Sequence, residues 1–363
     1  MTRVSATLLI AGSVLALPVA QVDPVPKARL VSASRLNLPG AIDSNVPMTW
    51  DLVDGTWQLF ALASWGGTPA LLSGPSLERL QRSADPVTVV PHPGDGVWIE
   101  SVLADEGGTW YGYYHHEAPA LICGRPDRAI PRIGAAKSTD RGRTWIDLGV
   151  ILEAPPGSHA CASTNRFVLG GVGDVTAMLD PDKQDLYLYF SQYLQGRAAQ
   201  GIAVGRMAWA DRDEPRGRVS VWSDGAWLSA RPLAEATKES PAAWEYPVGT
   251  PLVAVGRPWH DGSPSADAFW GPSVHWNTYL ERYVMLLNRA KNESFDNEGI
   301  YVSYSRSLAA PRAWSVPAKL MDEGGWYPQV AGLAPEVGTD KQAGQRARFF
   351  LTGKSDRWIE FSW

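Results

Sequence analysis

The sequence predicts an all-β fold, a five-bladed β-propeller, and three observations predict it. One hairpin pattern recurs five times along the chain. No stretch carries a long, clean helical period. Tryptophan is abundant, 17 in 363 residues, and sheets packed against sheets need large flat apolar groups between them.

Each copy of the pattern is a short strand, a turn rich in Asp and Gly, and an aromatic strand. The first spans 50–60, with Asp54-Gly55 as its turn. The second joins 97–102 to 109–114 through Asp105-Glu106-Gly107-Gly108. The third joins 174–179 to 186–190 through Asp180-Pro181-Asp182-Lys183. The fourth pairs 272–276 with 282–287, and the fifth pairs 327–333 with 347–352 across a longer polar insert. Outer strands follow at 133–138 with 144–149, at 201–207 with 219–222, and at 299–305 with 313–317. Propeller blades are four-stranded sheets set radially around a channel, and a repeated hairpin is their signature. A β-sandwich is the rival fold, but it gives no reason for five copies of one hairpin.

The chain start sets the compartment. Arg3, the apolar run 6–16 and Leu17-Pro18-Val19-Ala20 read as a secretory signal peptide over 1–20. A buried N-terminal strand is the alternative. Residues 21–40 read as a leader or a ring-closing strand, and 41–363 as a single propeller domain. No later apolar run is long enough to span a membrane. A secreted or periplasmic, monomeric protein is expected. Cys123 and Cys161 lie either side of one proposed hairpin, so an oxidising compartment would permit a disulfide. Two buried free thiols are the other reading.

Composition excludes some partners. Hydrophobic residues make up 45% and charged residues 20%, a globular balance. There are 33 basic and 38 acidic side chains, a net charge of −5, and no basic stripe to meet nucleic acid. Two cysteines and six histidines lack close ligand spacing, which argues against a structural zinc site; His115 with Glu117 is the alternative metal-ligating pair, but no metal and no cofactor are expected. A structural calcium ion in the central channel is the one cation left open.

Residues 138–145 read Ser-Thr-Asp-Arg-Gly-Arg-Thr-Trp. They match the Asp box, the Ser-x-Asp-x-Gly-x-Thr-Trp turn of sialidases and related propellers. Asp140 can accept hydrogen bonds from its own turn, Gly142 tolerates a left-handed backbone, and Trp145 can pack behind. The motif is structural. A sialidase would also need an arginine triad with a tyrosine, and none is evident.

Carboxylates at the axial ends of inner strands face the channel and are the chemical candidates. Glu100 follows Trp98-Ile99, and Asp174 follows Gly173. Asp43 precedes the first module, and Glu298 precedes the strand beginning at Gly299. Burial beside an apolar blade interface is how such a group acquires a catalytic pKa. His116, Glu117, Trp270, His275, Tyr327 and Gln329 are the candidates for binding sugar hydroxyls and faces. Along His115-His116-Glu117 side chains alternate, so a regular strand cannot aim all three into one pocket.

The paired modules, with Trp98-Ile99-Glu100 and Gly173-Asp174-Val175 followed by Asp180, Asp182 and Tyr187-Leu188, resemble the five-bladed glycoside hydrolases of family 43 and relatives. The resemblance implies three carboxylates from the first three blades, serving as base, tuning group and acid in an inverting hydrolysis. Asp43 stands near the first position, out of register. Where the family has Glu-Gly-Pro opening a blade, this chain has Trp270-Gly271-Pro272, without a carboxylate. The expected activity is cleavage of a poly- or oligosaccharide, with Glu100 or Glu298 as acid and Asp43 or Asp174 as base. A polysaccharide lyase using His116 or His275 and a non-catalytic sugar-binding propeller are the alternatives.

Overall fold

Five antiparallel sheets follow one another along the chain. The computed structural model describes residues 24–237, 242–257, 259 and 266–363. The signal-peptide reading of 1–20 lies outside them. Among the described residues the only helices are single turns of 3-10 helix, and none is long and apolar enough to cross a membrane.

Blade one runs outward from the axis as Met48–Val53, Thr56–Trp65, Thr68–Gly74 and Gln81–Arg82. Blade two is Gly96–Ala104, Trp110–Ala120, Arg125–Ser138 and Thr144–Leu152, with Thr88–Val90 added in parallel at its outer edge. Blade three is Val172–Leu179, Asp185–Tyr193, Gln200–Ala208, Ser220–Ser223 and Ala226–Ser229. Blade four is Phe269–Asn277, Arg282–Ala290, Asn297–Ser305 and Ala318–Asp322. Blade five is Pro328–Gly332, Arg346–Leu351 and Lys354–Ser362. Its fourth, outermost strand is Lys27–Asn37, so the early chain completes the last blade.

The fold is therefore the all-β, five-bladed propeller expected, and the five repeated hairpins are its five inner hairpins. Asp54 and Gly55 both have positive φ, 49° and 77°, which a two-residue hairpin turn matched to strand twist requires. One outer strand differs from expectation. In blade four it is Ala318–Asp322 rather than 313–317, because Pro311–Ala313 forms a 3-10 turn. The outermost strand of blade five exposes Lys27, Arg29 and Arg35, and such charges discourage further strands from adding to an open edge.

The core is five cores. One apolar cluster fills each gap between successive blades, for example Phe60, Leu62, Val97 and Trp110 between blades one and two. Ile133, Val172, Leu186 and Leu188 lie between two and three, and Val204, Val274 and Met285 between three and four. Leu286, Ile300 and Phe349 lie between four and five, and Leu59, Ala331 and Phe350 close the ring. Each blade buries both faces, which is why the inner strands read as nearly continuous apolar runs.

Two devices bring polar groups to the axis. Inner strands of blades two, three and four each carry a bulge, between Ile99 and Ser101, Gly173 and Val175, and Trp270 and Ser273. The extra residues are Glu100, Asp174 and the pair Gly271-Pro272. A bulge frees a residue from the ladder and re-aims its side chain. The insert of blade five also reaches the axis. Asp340 accepts the Met48 amide at 2.8 Å, the Lys341 carbonyl accepts the Trp276 amide at 2.9 Å, and Lys341 Nζ donates to Thr176 Oγ1 at 3.1 Å.

Candidate active site

Asp174 is the centre of the polar cluster. It is buried and has φ 45°, a left-handed backbone that few non-glycine residues adopt. Blade two holds that backbone. His115 Nδ1 accepts the Asp174 amide at 2.9 Å, and Glu100 Oε2 accepts the Val175 amide at 2.7 Å. Gly173 makes the approach feasible, because a Cβ there would stand 2.3 Å from His115 Nδ1. The Asp174 carboxylate receives hydrogen bonds from the Tyr193 hydroxyl and, at 3.3 Å, from that of Tyr327. Burial first, then the Asp174 charge, keeps both phenols protonated by pushing their pKa values well up. Tyr327 also has positive φ, 55°, so both ends of its bond to Asp174 lie on strained backbone.

Glu100 is fully surrounded by protein. Burial, and next the Asp174 charge, raise its pKa well above the ordinary glutamate value, against the pull of His115 and the Val175 amide. Asp43 reaches the same field from blade one. Its carboxylate accepts Trp98 Nε1–H at 2.7 Å and the Gly66 amide at 3.0 Å, and burial outweighs those bonds to raise its pKa.

His115 bridges two carboxylates. Its Nε2 is 3.6 Å from Glu117 Oε1 and its Nδ1 is 3.7 Å from Asp174 Oδ1. Burial lowers its pKa, but the Glu117 hydrogen bond and the Asp174 and Glu100 charges outweigh burial and bring it up to about 9. The amide bond opposes that balance, since an imidazolium has no lone pair left on Nδ1. The geometry fixes the neutral ring, with its proton on Nε2 facing Glu117.

Above this floor stands a pocket lined by His115, Glu117, Asp174, Tyr193 and Tyr327, with walls of Phe167, Val168, Trp270, Phe295 and Trp326. The rings brace one another edge to face. Trp270 meets Phe295, Trp326 and Tyr327 at centroid distances of 5.1, 5.5 and 5.6 Å, and Phe167 meets Phe295 at 5.8 Å. Trp270 is buried, and its Nε1–H has no hydrogen-bond partner.

The remaining candidates lie elsewhere. Glu298 is not at the pocket: it is tied to Lys319, its oxygen lies 3.8 Å from Arg289, and it accepts the Tyr301 hydroxyl on blade four. It sits on a third strand, away from the axis. His116 points opposite to His115 and Glu117, as alternation requires. Burial and then Arg132 lower its pKa to about 4. His275 is fully buried against Phe361, with no hydrogen-bond partner for either nitrogen, and is a core residue. The Gln329 amide clamps the backbone of Val46, its Oε1 accepting the Val46 amide at 2.8 Å, and so joins blade five to blade one. Asp140 accepts the amides of Arg143 and Thr144 at 3.1 and 2.8 Å, Gly142 has φ 80°, and Trp145 Nε1 donates to the Gly142 carbonyl at 3.0 Å. That turn is structural and remote from the pocket. Cys123 and Cys161 are bonded as a disulfide, with Cα atoms 5.0 Å apart.

The sequence reading missed Tyr193, Phe167 and Phe295; it set Trp326, beside Tyr327, at the channel edge of the last blade, where it does line the pocket, and did not place His115 among the catalytic or binding residues. Tyr193 ends the run Leu-Tyr-Leu-Tyr-Phe-Ser-Gln-Tyr, whose earlier tyrosines are interface residues. The only sign of its difference is the polar pair Ser191-Gln192 before it.

Glu100, His115 and Asp174 offer ligand atoms within 4.8 Å of one another, a spacing a cation could use. The donor set does not fit one well. His115 Nδ1 and one Glu100 oxygen already accept amides, and both Asp174 oxygens accept phenols. The three side chains brace the blade-three bulge.

No family model matches the sequence, and no curated protein matches it. Among solved structures, the chain is similar to a thermostable family-43 glycoside hydrolase, at 11% identity and TM-score 0.46, covering 90% of this chain and 91% of that one. It is similar to an endo-arabinase from Bacteroides thetaiotaomicron, at 11% identity and TM-score 0.49, covering 90% and 96%. A third is an α-L-arabinofuranosidase from Podospora anserina, at 11% identity and TM-score 0.46, covering 92% and 96%. Likenesses this distant carry no substrate or mechanism to this chain. Its chemistry is read from its own side chains.

Proposed function

We propose that this protein is a glycoside hydrolase that cleaves a terminal sugar unit bound in the aromatic-walled pocket, with Asp174 as general base and Glu117 as general acid. The observation that carries the reading is that Asp174 and Glu117 line one pocket with the His115 ring between them. The two contacts across the imidazole ring put those oxygens no farther apart than the roughly 9.5 Å upper limit of an inverting pair, which admits a water molecule between its carboxyls.

The two environments suit the two roles. Asp174 is deep, and the Tyr193 and Tyr327 hydroxyls hold its carboxyl group in place where it would activate water. Glu117 is half exposed at the mouth, where the leaving part of a glycan would depart, and His115 Nε2–H is positioned beside it. Glu100 does not line the pocket and lies too close to Asp174 to serve as its partner across a glycosidic bond. It acts by holding the Val175 amide. The walls supply aromatic surface for the sugar. Elimination from a uronate has less support, because no Lys or Arg lines the pocket among the described residues to neutralise the acid. We further propose that the protein works outside the cytoplasm, a reading the disulfide favours.

The test is incubation of the purified protein with a broad glycan panel, with products read by mass spectrometry. Release of monosaccharide with one added water, abolished in Asp174→Asn and Glu117→Gln, is expected. Unsaturated uronate ends, or retention of glycans without turnover, would replace the hydrolase with a lyase or a binding module.

A further inference from the structure

The pocket walls and floor differ in charge from most of the chain. Six rings, Phe167, Tyr193, Trp270, Phe295, Trp326 and Tyr327, stand around it, and the two acidic side chains that line it are the carboxylates Asp174 and Glu117. Behind them Asp43 adds to the same field, since its charge acts on Glu100. No Lys or Arg lines the pocket among the described residues. The cations around the axis are committed elsewhere. Lys341 pairs with Asp340 at 2.9 Å, and Arg132 lies 3.4 Å from Glu153. Arg166, beside Phe167, is exposed and does not line the pocket. Among the described residues His115 is the one basic group that lines it, and the Asp174 amide occupies its Nδ1.

Aromatic faces and carboxylates around a cavity without cations form a site for a positive charge. Ring quadrupoles attract a cation, most strongly when it is desolvated, and low-dielectric walls focus the field of the acids. A negative ligand meets the reverse, an uncompensated charge facing two carboxylates. We infer that the pocket selects its sugar by charge, taking a unit that bears a free ammonium, an unacetylated amino sugar, ahead of its neutral parent and rejecting uronates. The selection rests on the hydrolase reading for its substrate, but not for the binding preference itself, which Glu117 exerts in its carboxylate form, before it takes up the proton it delivers to the leaving oxygen in turnover. Glu117 is the group whose removal separates charge from shape. It is half exposed, and its replacement by glutamine keeps the size and hydrogen-bonding reach.

The test is binding of glucosamine, galactosamine, glucose, galactose, N-acetylglucosamine and glucuronate to the intact protein at neutral pH. Tryptophan fluorescence and calorimetry are the two readouts. The amino sugars should bind at least about tenfold more tightly than their neutral parents, the uronate should not bind, and Glu117→Gln should cut the preference to about threefold or less. Equal or tighter binding of the neutral sugars, an unchanged preference in Glu117→Gln, or no binding of either amino sugar at tens of millimolar overturns the inference. The two readings fail separately. Hydrolysis of neutral glycosides without an ammonium preference sinks the charge selection alone. An ammonium preference with no hydrolysis of any glycan sinks the hydrolase alone.

Discussion

His115 Nδ1, on blade two, accepts the backbone amide of Asp174, on blade three, at 2.9 Å. With Glu100 Oε2 on the next amide, two side chains of one blade hold two successive amides of its neighbour. An irregular backbone at φ 45° persists only where surrounding groups over-determine it. His115 is thus a positioning residue. Its replacement by alanine should leave a buried amide without an acceptor, at a cost of about 1–3 kcal/mol. Glycan turnover should fall mainly in kcat, by about a hundredfold or more, because a misplaced base loses the near-attack geometry while the walls still bind. Urea unfolding and steady-state kinetics together check this. A variant with unchanged kcat and lowered stability would make His115 merely structural.

Gly173→Ala tests the same brace from the other side. The new Cβ would meet His115 Nδ1 at 2.3 Å and Cε1 at 2.5 Å. Overpacking of this kind costs about 1–3 kcal/mol. Combined with His115→Ala the clash partner is gone, so the double variant should lose about 1 kcal/mol or more less than the sum of the singles. Additive losses in a double-mutant cycle of urea midpoints would mean that the two residues do not share the contact.

What was legible in the sequence follows from which forces act locally. The inner hairpins could be read because both faces of each strand pack against a neighbouring blade, giving apolar runs cut by turn residues such as Asp54-Gly55. Glu100 and Asp174 stood out as carboxylates within such runs. The bulges that expose them could not be read, since an extra residue in a ladder depends on the partner strand. For the same reason Glu298, before an outer strand, could be read as reaching the pocket as the missing acid although its neighbours there are Lys319 and Arg289. The aromatic walls come from three separate segments, Phe167, Trp270 with Phe295, and Trp326, and only closure of the ring brings them together.

The disulfide should matter to the pocket as well as to stability. Cys123 and Cys161 are 38 residues apart and tie the end of blade two to the segment that carries Phe167 and Val168. Closing a loop of that length stabilises the folded state by about 3–4 kcal/mol in the chain-entropy account. Cys123→Ser with Cys161→Ser should lower the urea unfolding free energy by about that amount. It should also weaken sugar binding several-fold, because Phe167 forms one wall. Unchanged affinity in a folded double variant would show that the wall is held without the bridge.

The pH dependence of stability follows from opposed groups. His275 has a folded pKa lowered to about 3, by burial first and then by Lys341, against 6.5 unfolded. Between pH 6.5 and about 3 the unfolded chain therefore holds one more proton at this site. Stability then rises with pH across that window, by about 1.4 kcal/mol per pH unit for one group. His116, lowered to about 4, adds the same sign between about 4 and 6.5. Glu100 acts oppositely. Its folded pKa is raised above 4.5, so above that pH the folded chain holds the extra proton and stability falls as pH rises. The Glu100 contribution therefore opposes the histidines above pH 4.5; just below it His116 and His275 act without that opposition, and below about 4 His275 acts alone among the three. His275→Phe isolates the effect. Its imidazole packs against Phe361 at 5.8 Å and makes no hydrogen bond, so a phenyl ring should be tolerated at pH 7. Urea unfolding free energies between pH 3 and 6.5 should then lose about 1.4 kcal/mol per pH unit of slope relative to the parent. An unchanged slope would mean that His275 is protonated in the folded chain, and that the proton has a partner in the core.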